Sequence, residues 1–456
     1  MRLEEFCRTP GDYTVALLGF GRANRAVLAW LGTTGGTATV YTEQPLPPEL
    51  AAECEATNTP VLVGKFPASF GEQVLVRSPG IRPDILPIES SVASGALLTS
   101  ETELFMALTP AFTIGVTGSD GKTTTASLTA ALLRASGHRV WLGGNNGTPL
   151  LPFVGQMQAG DMAVLELSSF QLMTMERTPS VAVITNIAPN HLNWHTDMAE
   201  YITAKSRIFG SHTKLILNAE NAITRNMGME RENRVVFFSP HPSADRIVGR
   251  GMAYASGNDV VVCQDDSCRA FDCLSHFLLP GRHNLENLLA AMAATAPFLT
   301  NEAPAVALSS FRGVSHRLQY VGTVRGVRYY NSSIDTSPTR TVAALEALGG
   351  HPLVIAGGRG KGVSFLPLGA AFKEHAKAVY LYGEAAHEIA AALPAGVAHK
   401  VFDRFAQAFV AAASDAREGD TVLLSPGCTA FGEFRDFEQR GEVFCRLVEE
   451  LAKERK

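Results

Sequence analysis

The chain has 456 residues, which at about 150 residues per domain suggests roughly two to four domains and is long enough to bury sizeable cores. Hydrophobic residues make up 46% and charged residues 18%, a balance that excludes a disordered or low-complexity chain. Since 39 Lys and Arg face 44 Asp and Glu, for a formal net charge of −5, no overall basic field favours a nucleic-acid partner.

Targeting signals and cysteines point to a cytoplasmic protein. Residues 1–5 lack the basic and apolar regions of a signal peptide, and no apolar run approaches the ~20 residues of a membrane-spanning helix. Among the seven cysteines, Cys263, Cys268 and Cys273 cluster in a polar stretch, without CxxC spacing or the histidine partners of a zinc site. We therefore expect neither a metal nor a disulfide there, and no membrane insertion.

Short β-branched and apolar runs predict buried strands along the whole chain. Polar or glycine-rich turns and Ala/Leu-rich helical segments, such as 124–136 and 285–296, follow most of them, and this βαβα order predicts an α/β fold with parallel sheets. The predicted strands are 15–19, 37–41, 74–76, 113–116, 163–165, 181–185, 215–217, 353–356, 379–381 and 421–424.

Two domain boundaries are expected, one near 108–111 and one near 312–314, which divides the chain into residues 1–110, 111–313 and 314–456. The segment 218–280 is more polar than its surroundings and has short β-like runs at 235–238 and 260–262. It could form an extra small sheet packed on the middle domain.

A phosphate-binding loop follows the strand 113–116, in the sequence TGSDGKTTT (117–125). Gly118 and Gly121 allow close approach of the backbone, whose amides point at phosphate oxygens. Lys122 supplies a positive charge and Thr123 can ligate Mg²⁺. The standard spacing would put a glycine at Val116, but strand, loop and helix in this order still favour nucleotide binding over a structural turn.

A second glycine-rich turn, GFGRAN (19–24), follows the first strand. It resembles a dinucleotide fingerprint but has Asn24 at the third glycine position, so NAD chemistry is not favoured. The helix N-terminus after it could hold a nucleotide diphosphate, or the turn could be purely structural.

Acidic, histidine and lysine side chains follow the next strands. Glu166 ends one strand, where nucleotide sites of α/β sheets open, and is a candidate metal ligand or water-positioning residue. His191 and His195 lie in the loop NHLNWH (190–195) and could be ligands or caps. Lys205 lies in the helical stretch AKSRIF (204–209), where a surface lysine is the ordinary interpretation.

Taken together in order, these motifs resemble the Mur ligases of peptidoglycan synthesis. The resemblance covers essentially the whole chain and is strongest to the members that add D-glutamate. The motifs are SPGI (78–81), TGSDGKTTT (117–125), VLELSSFQL (164–172), NHLNWH with AKSRIF, GRHNLENLLAA (281–291), HRLQ (316–319) and LSPGCTAFGEFRDFEQRG (424–441).

The resemblance implies three domains: a Rossmann-like domain for the UDP end of the substrate, a central P-loop ATPase and a Rossmann-like domain for the amino acid. It also implies a monomer that uses ATP and two Mg²⁺ ions to add D-glutamate to UDP-N-acetylmuramoyl-L-alanine through an acyl phosphate, in cell-wall synthesis. There are two alternatives. The chain could be another Mur or folylpolyglutamate-type ligase that uses a different amino acid, or a catalytically degenerate nucleotide-binding homologue.

The resemblance also assigns roles to residues of this chain. Lys122, Glu166, His191 and Lys205 are the expected catalytic set, with Lys205 carbamylated, and the expected metal ligands are Thr123, Glu166, His191 and Lys205. The expected ATP contacts are Gly118, Ser119, Asp120, Gly121, Lys122, Thr123, Thr124, Asn284, Asn287, Arg317 and Asp335. The expected substrate contacts are Gly19, Gly21, Arg22, Thr42, Ser78, Pro79, Gly80, Asn145, Ser168, Thr336, Lys361 and Phe437, with Arg359 as an alternative cation to Lys361.

The chain departs from the family pattern at three places. NSSIDTS (331–337) stands where NDSKATN is usual, so that either Asp335 or Ser332 would meet the ATP ribose and the lysine has no replacement in the segment. Asn190, Asn193 and Trp194 interrupt the usual DHLDR, and Ala430 replaces a serine. Since the catalytic set is intact, we expect an active ligase with altered nucleotide or metal affinity.

Overall fold

The computed structural model describes residues 2–145, 147–231, 235–241, 251–264 and 267–453. Its first sheet has five parallel strands in the order β3-β2-β1-β4-β5. The strands are β1 (Val15–Leu18), β2 (Thr39–Thr42), β3 (Val61–Val63), β4 (Val74–Arg77) and β5 (Leu97–Thr99). The helices are α1 (Leu3–Arg8), α2 (Arg22–Thr34), α3 (Pro48–Ala56), α4 (Leu86–Ala93) and α5 (Glu101–Leu108).

The second sheet has nine strands in the order β14-β13-β12-β11-β10-β9-β6-β8-β7. They are β6 (Phe112–Thr117), β7 (Val140–Gly144), β8 (Met162–Glu166), β9 (Val181–Ile184), β10 (Lys214–Asn218), β11 (Val235–Phe238), β12 (Gly251–Ser256), β13 (Asp259–Gln264) and β14 (Ser267–Asp272). The helices are α6 (Lys122–Ala135), α7 (Ser169–Leu172), α8 (Met198–Ser206), α9 (Ala222–Met229), α10 (Arg282–Thr295) and α11 (Ala303–Ser310).

The third sheet has six strands in the order β15-β16-β20-β17-β18-β19, and only the pair β15–β16 is antiparallel. They are β15 (Gln319–Val324), β16 (Val327–Asn331), β17 (Leu353–Gly357), β18 (Ala378–Tyr382), β19 (His399–Phe402) and β20 (Thr421–Leu424). The helices are α12 (Pro338–Leu348), α13 (Leu366–His375), α14 (Ala386–Ala391), α15 (Phe405–Asp415) and α16 (Phe437–Lys453).

The predicted α/β class with parallel sheets is confirmed. The central strands β1, β4, β8, β9 and β17 are buried at every residue, as expected for parallel sheets covered on both faces. Such strands read as continuous apolar runs, which is why the sequence predicted them correctly.

The prediction of a separate small sheet in 218–280 is wrong. β11 pairs in parallel with β10, and β12 pairs in parallel with β11, so these strands extend the nine-stranded sheet. β13 and β14 then add an antiparallel hairpin at its edge. The short, polar edge strands obscured this continuity in the sequence, because an edge strand faces solvent and loses the apolar signal.

The expectation of no disulfide in the cysteine cluster is also wrong. Cys263 and Cys268 face each other directly across β13 and β14 and form a disulfide, whereas Cys273 is buried as a free thiol. The pairing depends on the hairpin register, which places two residues five positions apart in direct opposition. Sequence spacing without a recognised hairpin could not show it.

By its internal contacts the chain divides into two compact units. The first comprises Met1–His276 and Leu285–Ser309 and contains the first and second sheets, and the second comprises Phe277–Asn284 and Ser310–Lys456 and contains the third. The boundaries expected near residues 110 and 313 stay predictions. Within the described residues, no helix combines the length and apolar character needed to span a membrane.

A buried carboxyl group in α5 predicts how the stability of the fold depends on pH. Burial raises the pKa of Glu103 to about 7, although its carboxylate accepts hydrogen bonds from the backbone amides of Glu176 and Arg177. The stability that protonated Glu103 contributes is therefore complete below its ordinary pKa of 4.5 and is lost as the pH rises through about 7. We expect Glu103→Gln to gain free energy of unfolding relative to wild type across this window, measured by chemical denaturation.

The exposed Glu49, on α3, supplies the matched control. Glu49→Gln is expected to keep the wild-type pH dependence. A constant difference in unfolding free energy between Glu103→Gln and wild type from pH 5 to 8 would contradict the prediction.

Candidate active site

The turn between β6 and α6 has the backbone geometry of a phosphate-binding loop. Gly118 and Gly121 have φ values of +150° and +78°, which residues with a side chain rarely adopt. A Cβ on Gly118 would overlap the Thr185 hydroxyl, and one on Gly121 would overlap the Asn287 amide oxygen. Glycine is therefore required at both positions, and α6 begins with its amides directed at this turn.

The side chain of Lys122 lies over the same loop. Its Nζ donates hydrogen bonds to the carbonyl oxygens of Gly118 and Ser119, each at 2.8 Å. Thr123 and Thr124 occupy the first turn of α6, and Asp120 donates its backbone N–H to Asn186 Oδ1. The loop residues predicted to bind ATP are thus brought together around one helix N-terminus. Val116, where the standard spacing has glycine, is a buried residue of β6.

Glu166 ends β8, directly beside β6 in the sheet, with its backbone in register with Val116. Its Oε1 accepts a hydrogen bond from Asn145 Nδ2 at 2.8 Å. Its Oε2 is buried and has no hydrogen-bond partner within the described part of the chain. A buried carboxylate oxygen without a partner is costly, so this atom favours a bound cation next to Glu166.

His191 lies in the loop after β9 with a left-handed backbone, at φ +56°. Burial, followed by the positive charges of Lys122 and Lys205, lowers the pKa of its imidazole. The ring is therefore neutral at neutral pH, which is the form that binds a metal ion. These electrostatic interactions also show that the three side chains lie near one another.

Lys205 is not a surface lysine. Its side chain, on α8, is 1% exposed, and Nζ donates hydrogen bonds to Thr117 Oγ1 at 3.2 Å and to the Gly118 carbonyl oxygen at 2.8 Å. Burial, together with the charge of Lys122, lowers the pKa of Lys205 well below its ordinary value. Such a lowering makes the neutral, nucleophilic form of the amine more accessible at the edge of the phosphate loop.

The predicted metal ligands combine a hydroxyl (Thr123), a carboxylate (Glu166), an imidazole (His191) and a lysine (Lys205). Across the described residues, no group of three or more His, Cys, Asp or Glu side chains is placed to hold a metal ion. The unpartnered oxygen of Glu166 and the hydroxyl of Thr123 nevertheless fit Mg²⁺, which prefers oxygen ligands.

The carboxyl edge of the first sheet gathers the residues expected to bind the UDP end of the substrate. Gly19 has φ +76° and lies against Ser78, whose buried Oγ has no hydrogen-bond partner among the described residues. Gly21 caps α2, whose first residue is Arg22. Thr42 ends β2 and donates its hydroxyl to the carbonyl oxygen of Gln44.

Asn24 explains why the dinucleotide fingerprint is incomplete. Its fully buried amide donates hydrogen bonds to the carbonyl oxygens of Leu18, Gly19 and Val76. The side chain thus joins the ends of β1 and β4, a structural role that a glycine could not perform.

Several expected substrate residues lie around α7 and β7, on the second sheet. Asn145 follows β7 and also donates its backbone N–H to the Glu166 carbonyl oxygen at 2.8 Å. Ser168 caps α7, accepting a hydrogen bond from the Gln171 amide. Pro79 and Gly80 lie in the loop after β4, where their carbonyl oxygens accept hydrogen bonds from Arg77 Nη1 and Trp194 Nε1.

On the third sheet, Thr336 and Lys361 lie together, with Lys361 Nζ 3.1 Å from Thr336 Oγ1. The alternative cation Arg359 is instead paired with Glu384 at 2.8 Å. Phe437 begins α16, and its carbonyl oxygen accepts a hydrogen bond from Ser333. Lys361 is thus the better placed of the two cations to bind an anion beside Thr336.

The acidic residue of the altered segment NSSIDTS, Asp335, is buried. Burial raises the pKa of Asp335 to about 6; its carboxylate accepts a hydrogen bond from the Ser425 hydroxyl at 2.8 Å, and its backbone N–H donates to the Ser332 carbonyl oxygen at 3.0 Å. The two alternatives for the ribose contact therefore share one hydrogen-bond network. Asn284 and Asn287 lie in the first two turns of α10, and Arg317 is an exposed residue of the HRLQ segment.

Sequence reasoning missed the residues that hold this site together. Tyr201 OH lies 2.9 Å from Ser119 Oγ, and its position four residues before Lys205, on the same face of α8, was a usable signal. Arg77 and Arg82 bond to Phe170 and Trp194, which are 93 and 112 residues away along the chain. No local pattern could reveal these contacts.

Comparisons with known proteins identify the family of the chain. Residues 116–295 match the family described as "Mur ligase middle domain", and residues 316–428 match "Mur ligase, glutamate ligase domain". The chain is also 38% identical over 466 residues to the UDP-N-acetylmuramoylalanine--D-glutamate ligase of Ruminiclostridium cellulolyticum, with 99% of each chain covered. The chain belongs to the Mur ligase family. It is therefore an ATP-dependent ligase of peptidoglycan synthesis, as the sequence motifs predicted.

Further relatives of this Mur ligase agree in length and fold. The UDP-N-acetylmuramoylalanine--D-glutamate ligase of Acetivibrio thermocellus is 35% identical to this chain, with 99% of each chain covered. A solved UDP-N-acetylmuramate-alanine ligase from Thermotoga maritima has a TM-score of 0.54 and 17% identity, covering 96% of this chain and 99% of that one. At such low identity the solved structure supports the three-domain α/β fold alone.

Proposed function

We propose that this Mur ligase joins D-glutamate to UDP-N-acetylmuramoyl-L-alanine, with ATP as the energy source. The observation that carries the proposal is the 38% identity, over the full length of both chains, to an enzyme named for that reaction. The presence of Lys122, Glu166, His191 and Lys205 supports it: Lys122 and Lys205 both donate to the Gly118 carbonyl oxygen, Glu166 ends the strand beside β6, and the charges of both lysines act on His191.

In the first chemical step, the substrate carboxylate attacks the γ-phosphorus of ATP, which gives an acyl phosphate and ADP. The loop amides of residues 118–124 and the Lys122 ammonium stabilise the negative charge on the transferred phosphoryl group. Thr123, Glu166, His191 and Lys205 are the residues that would hold two Mg²⁺ ions. When bound, Mg²⁺ neutralises phosphate oxygens and orients them for in-line transfer.

In the second step, the amine of D-glutamate attacks the acyl carbon. The amide bond forms, inorganic phosphate leaves with the electron pair of the broken C–O bond, and a proton is released from the amine. Lys361 and Thr336 lie 3.1 Å apart and offer a cation and a hydroxyl for a carboxylate of D-glutamate, and Phe437 begins the neighbouring helix.

The remaining predicted contacts complete the proposed sites. Gly19, Gly21, Arg22, Thr42 and the loop 78–80 bind the UDP end, and Asn145 and Ser168 face the reacting end of the same substrate. Asn284, Asn287 and Arg317 contact ATP, and either Asp335 or Ser332 contacts its ribose. We propose three domains bounded near residues 110 and 313, in a monomer that works in the cytoplasm.

Lys205 is proposed to be carbamylated. Its neutral amine adds to CO₂, forming an N–C bond and releasing one proton, and the product is an anion that suits Mg²⁺. We expect enzyme equilibrated with ¹³C-labelled bicarbonate to show a protein carbamate signal by ¹³C NMR, because the lowered pKa of Lys205 increases the share of its amine that can react with CO₂.

The exposed Lys65 is the control for this labelling. Lys65→Ala is expected to retain the carbamate signal and Lys205→Arg to lose it. A signal that persists in Lys205→Arg would place the carbamate on another amine.

Phosphate release from ATP tests the proposed function. Purified protein receives Mg²⁺ and UDP-N-acetylmuramoyl-L-alanine, with D-glutamate, L-glutamate, L-lysine or no amino acid in parallel. Release that requires D-glutamate supports the proposal, and release with another amino acid favours a different ligase of the family. No release in any mixture, from folded protein, would favour a degenerate nucleotide-binding homologue.

A further inference from the structure

Two arginines at the carboxyl edge of the first sheet connect the loop 78–81, which follows β4, to residues of the second sheet. Arg77 is fully buried, and its guanidinium donates to the carbonyl oxygens of Pro79 and Ile81 and, at 2.8 Å, to that of Phe170 on α7. Arg82 lies at the other end of the same loop. The segment between them, 78–81, includes the residues proposed to bind the UDP end of the substrate.

Arg82 contacts the loop that follows β9. Its Nη1 donates to the carbonyl oxygen of Trp194 at 2.7 Å, and its Nη2 bonds to Glu200 Oε1 at 2.7 Å and to Asp84 Oδ2 at 2.6 Å. The guanidinium also lies 5.0 Å from the centre of the Trp194 ring, while Trp194 Nε1 donates to Gly80 O at 3.0 Å. Arg82 and Trp194 therefore bind each other's loops reciprocally.

Trp194 belongs to the turn that holds His191. The carbonyl oxygen of His191 accepts hydrogen bonds from the backbone N–H groups of Trp194 and His195, each at 3.0 Å. A left-handed backbone at a non-glycine residue such as His191 is unfavourable and persists only where its surroundings stabilise it. The backbone N–H of Trp194 is one of the two groups that bond to the His191 carbonyl oxygen, and Arg82 in turn bonds to the carbonyl oxygen of Trp194.

A second connection leads from Arg82 to α7. His195, fully enclosed, accepts or donates at both ring nitrogens: Nδ1 lies 3.0 Å from Glu200 Oε2 and Nε2 lies 2.9 Å from Ser169 Oγ. Ser169 is the first residue of α7, three residues after Glu166. Arg82 is therefore linked through Glu200 and His195 to the helix that follows the proposed metal-binding carboxylate.

The family motif DHLDR places an arginine where this chain has Trp194. In this chain the guanidinium of Arg82, in the loop after β4, lies over the ring of that tryptophan. Trp194, where the chain departs from the family motif, therefore takes part in a contact between the loop 78–81 and the turn that carries His191.

We propose that Arg82 is a positioning residue that, with Trp194, couples binding of the UDP-linked substrate at loop 78–81 to the placement of His191. The inference rests on the proposed function, since it takes the UDP precursor as the ligand of loop 78–81. Arg82 does not touch the reacting atoms. It links the conformation of loop 78–81 to the conformation of the turn that carries His191. Binding of the UDP precursor and binding of the Mg²⁺–nucleotide therefore each strengthen the other.

The test measures that coupling by isothermal titration calorimetry. UDP-N-acetylmuramoyl-L-alanine is titrated into the full-length protein with and without Mg²⁺ and a non-hydrolysable ATP analogue. We expect the wild-type Kd to fall at least about fivefold when the Mg²⁺–nucleotide is present, and by less than twofold in Arg82→Ala. A merely structural role would weaken binding in both conditions and leave the ratio unchanged.

Two further variants sharpen the result. Trp194→Phe removes the hydrogen bond to Gly80 but keeps an aromatic ring, so partial loss of coupling is expected even if Arg82→Ala does not fold. Arg25→Ala removes an ion pair of similar length, with Glu53 at 2.6 Å, away from the loop and is expected to retain wild-type coupling. Both are compared with wild type by the same titrations.

The outcomes separate this inference from the proposed function. Wild-type protein that fails to bind the UDP precursor contradicts the proposed function. Wild-type protein that binds it with no effect of Mg²⁺–nucleotide overturns the coupling, as do undiminished ratios in both Arg82→Ala and Trp194→Phe.

Discussion

Lys122→Ala is expected to reduce phosphate release at least about a thousandfold without unfolding the protein. The ammonium lies 2.8 Å from two carbonyl oxygens of the phosphate loop, where the γ-phosphoryl group gains charge during transfer. Its role is electrostatic, and the apolar core does not depend on it. Turnover measured by phosphate release, with the thermal unfolding midpoint measured in parallel, checks both parts of the prediction.

A matched loss of charge elsewhere provides the control. Lys65 is exposed in the bend after β3, and Lys65→Ala is expected to keep wild-type turnover. Turnover of Lys122→Ala within tenfold of wild type would contradict the assigned role. An unfolding midpoint shifted by more than about 8 °C would instead show that Lys122 supports the fold.

Lys205→Ala is expected to lose at least about a hundredfold in activity, and short carboxylic acids such as formate or acetate are expected to restore part of it. The buried side chain leaves a small polar space beside Thr117 and Gly118, in which a carboxylate can replace the proposed carbamate. The variant should stay folded, because burying a lysine is itself costly. Phosphate release with and without added acid measures the effect.

Lys205→Arg separates the carbamate from a simple positive charge. Arginine supplies a positive charge but does not form a stable carbamate, so this variant is expected to be inactive. Full activity in Lys205→Arg would show that a cation suffices, and undiminished activity in Lys205→Ala would mark the residue as structural.

Local sequence patterns predicted much of the fold and part of the candidate active site. Buried parallel strands are continuous apolar runs, and the left-handed backbone at Gly118 and Gly121 is a local feature of the phosphate loop that favours glycine. Of the polar edge strands β12–β14, only the run 260–262 in β13 gave a β-like signal, and it did not show that these strands extend the central sheet. The Cys263–Cys268 disulfide was missed with them.

By itself, then, the sequence determined the α/β class, the phosphate loop and, through the order of its motifs, the family. Only the tertiary structure decided that Lys205 is buried, that Glu166 keeps an unpartnered oxygen beside the loop, and that Arg82 reaches Trp194 and Glu200. The reason is physical. Backbone conformation and strand burial depend on neighbouring residues, whereas burial of a charge and contacts across 112 residues depend on how the strands and loops are placed in space.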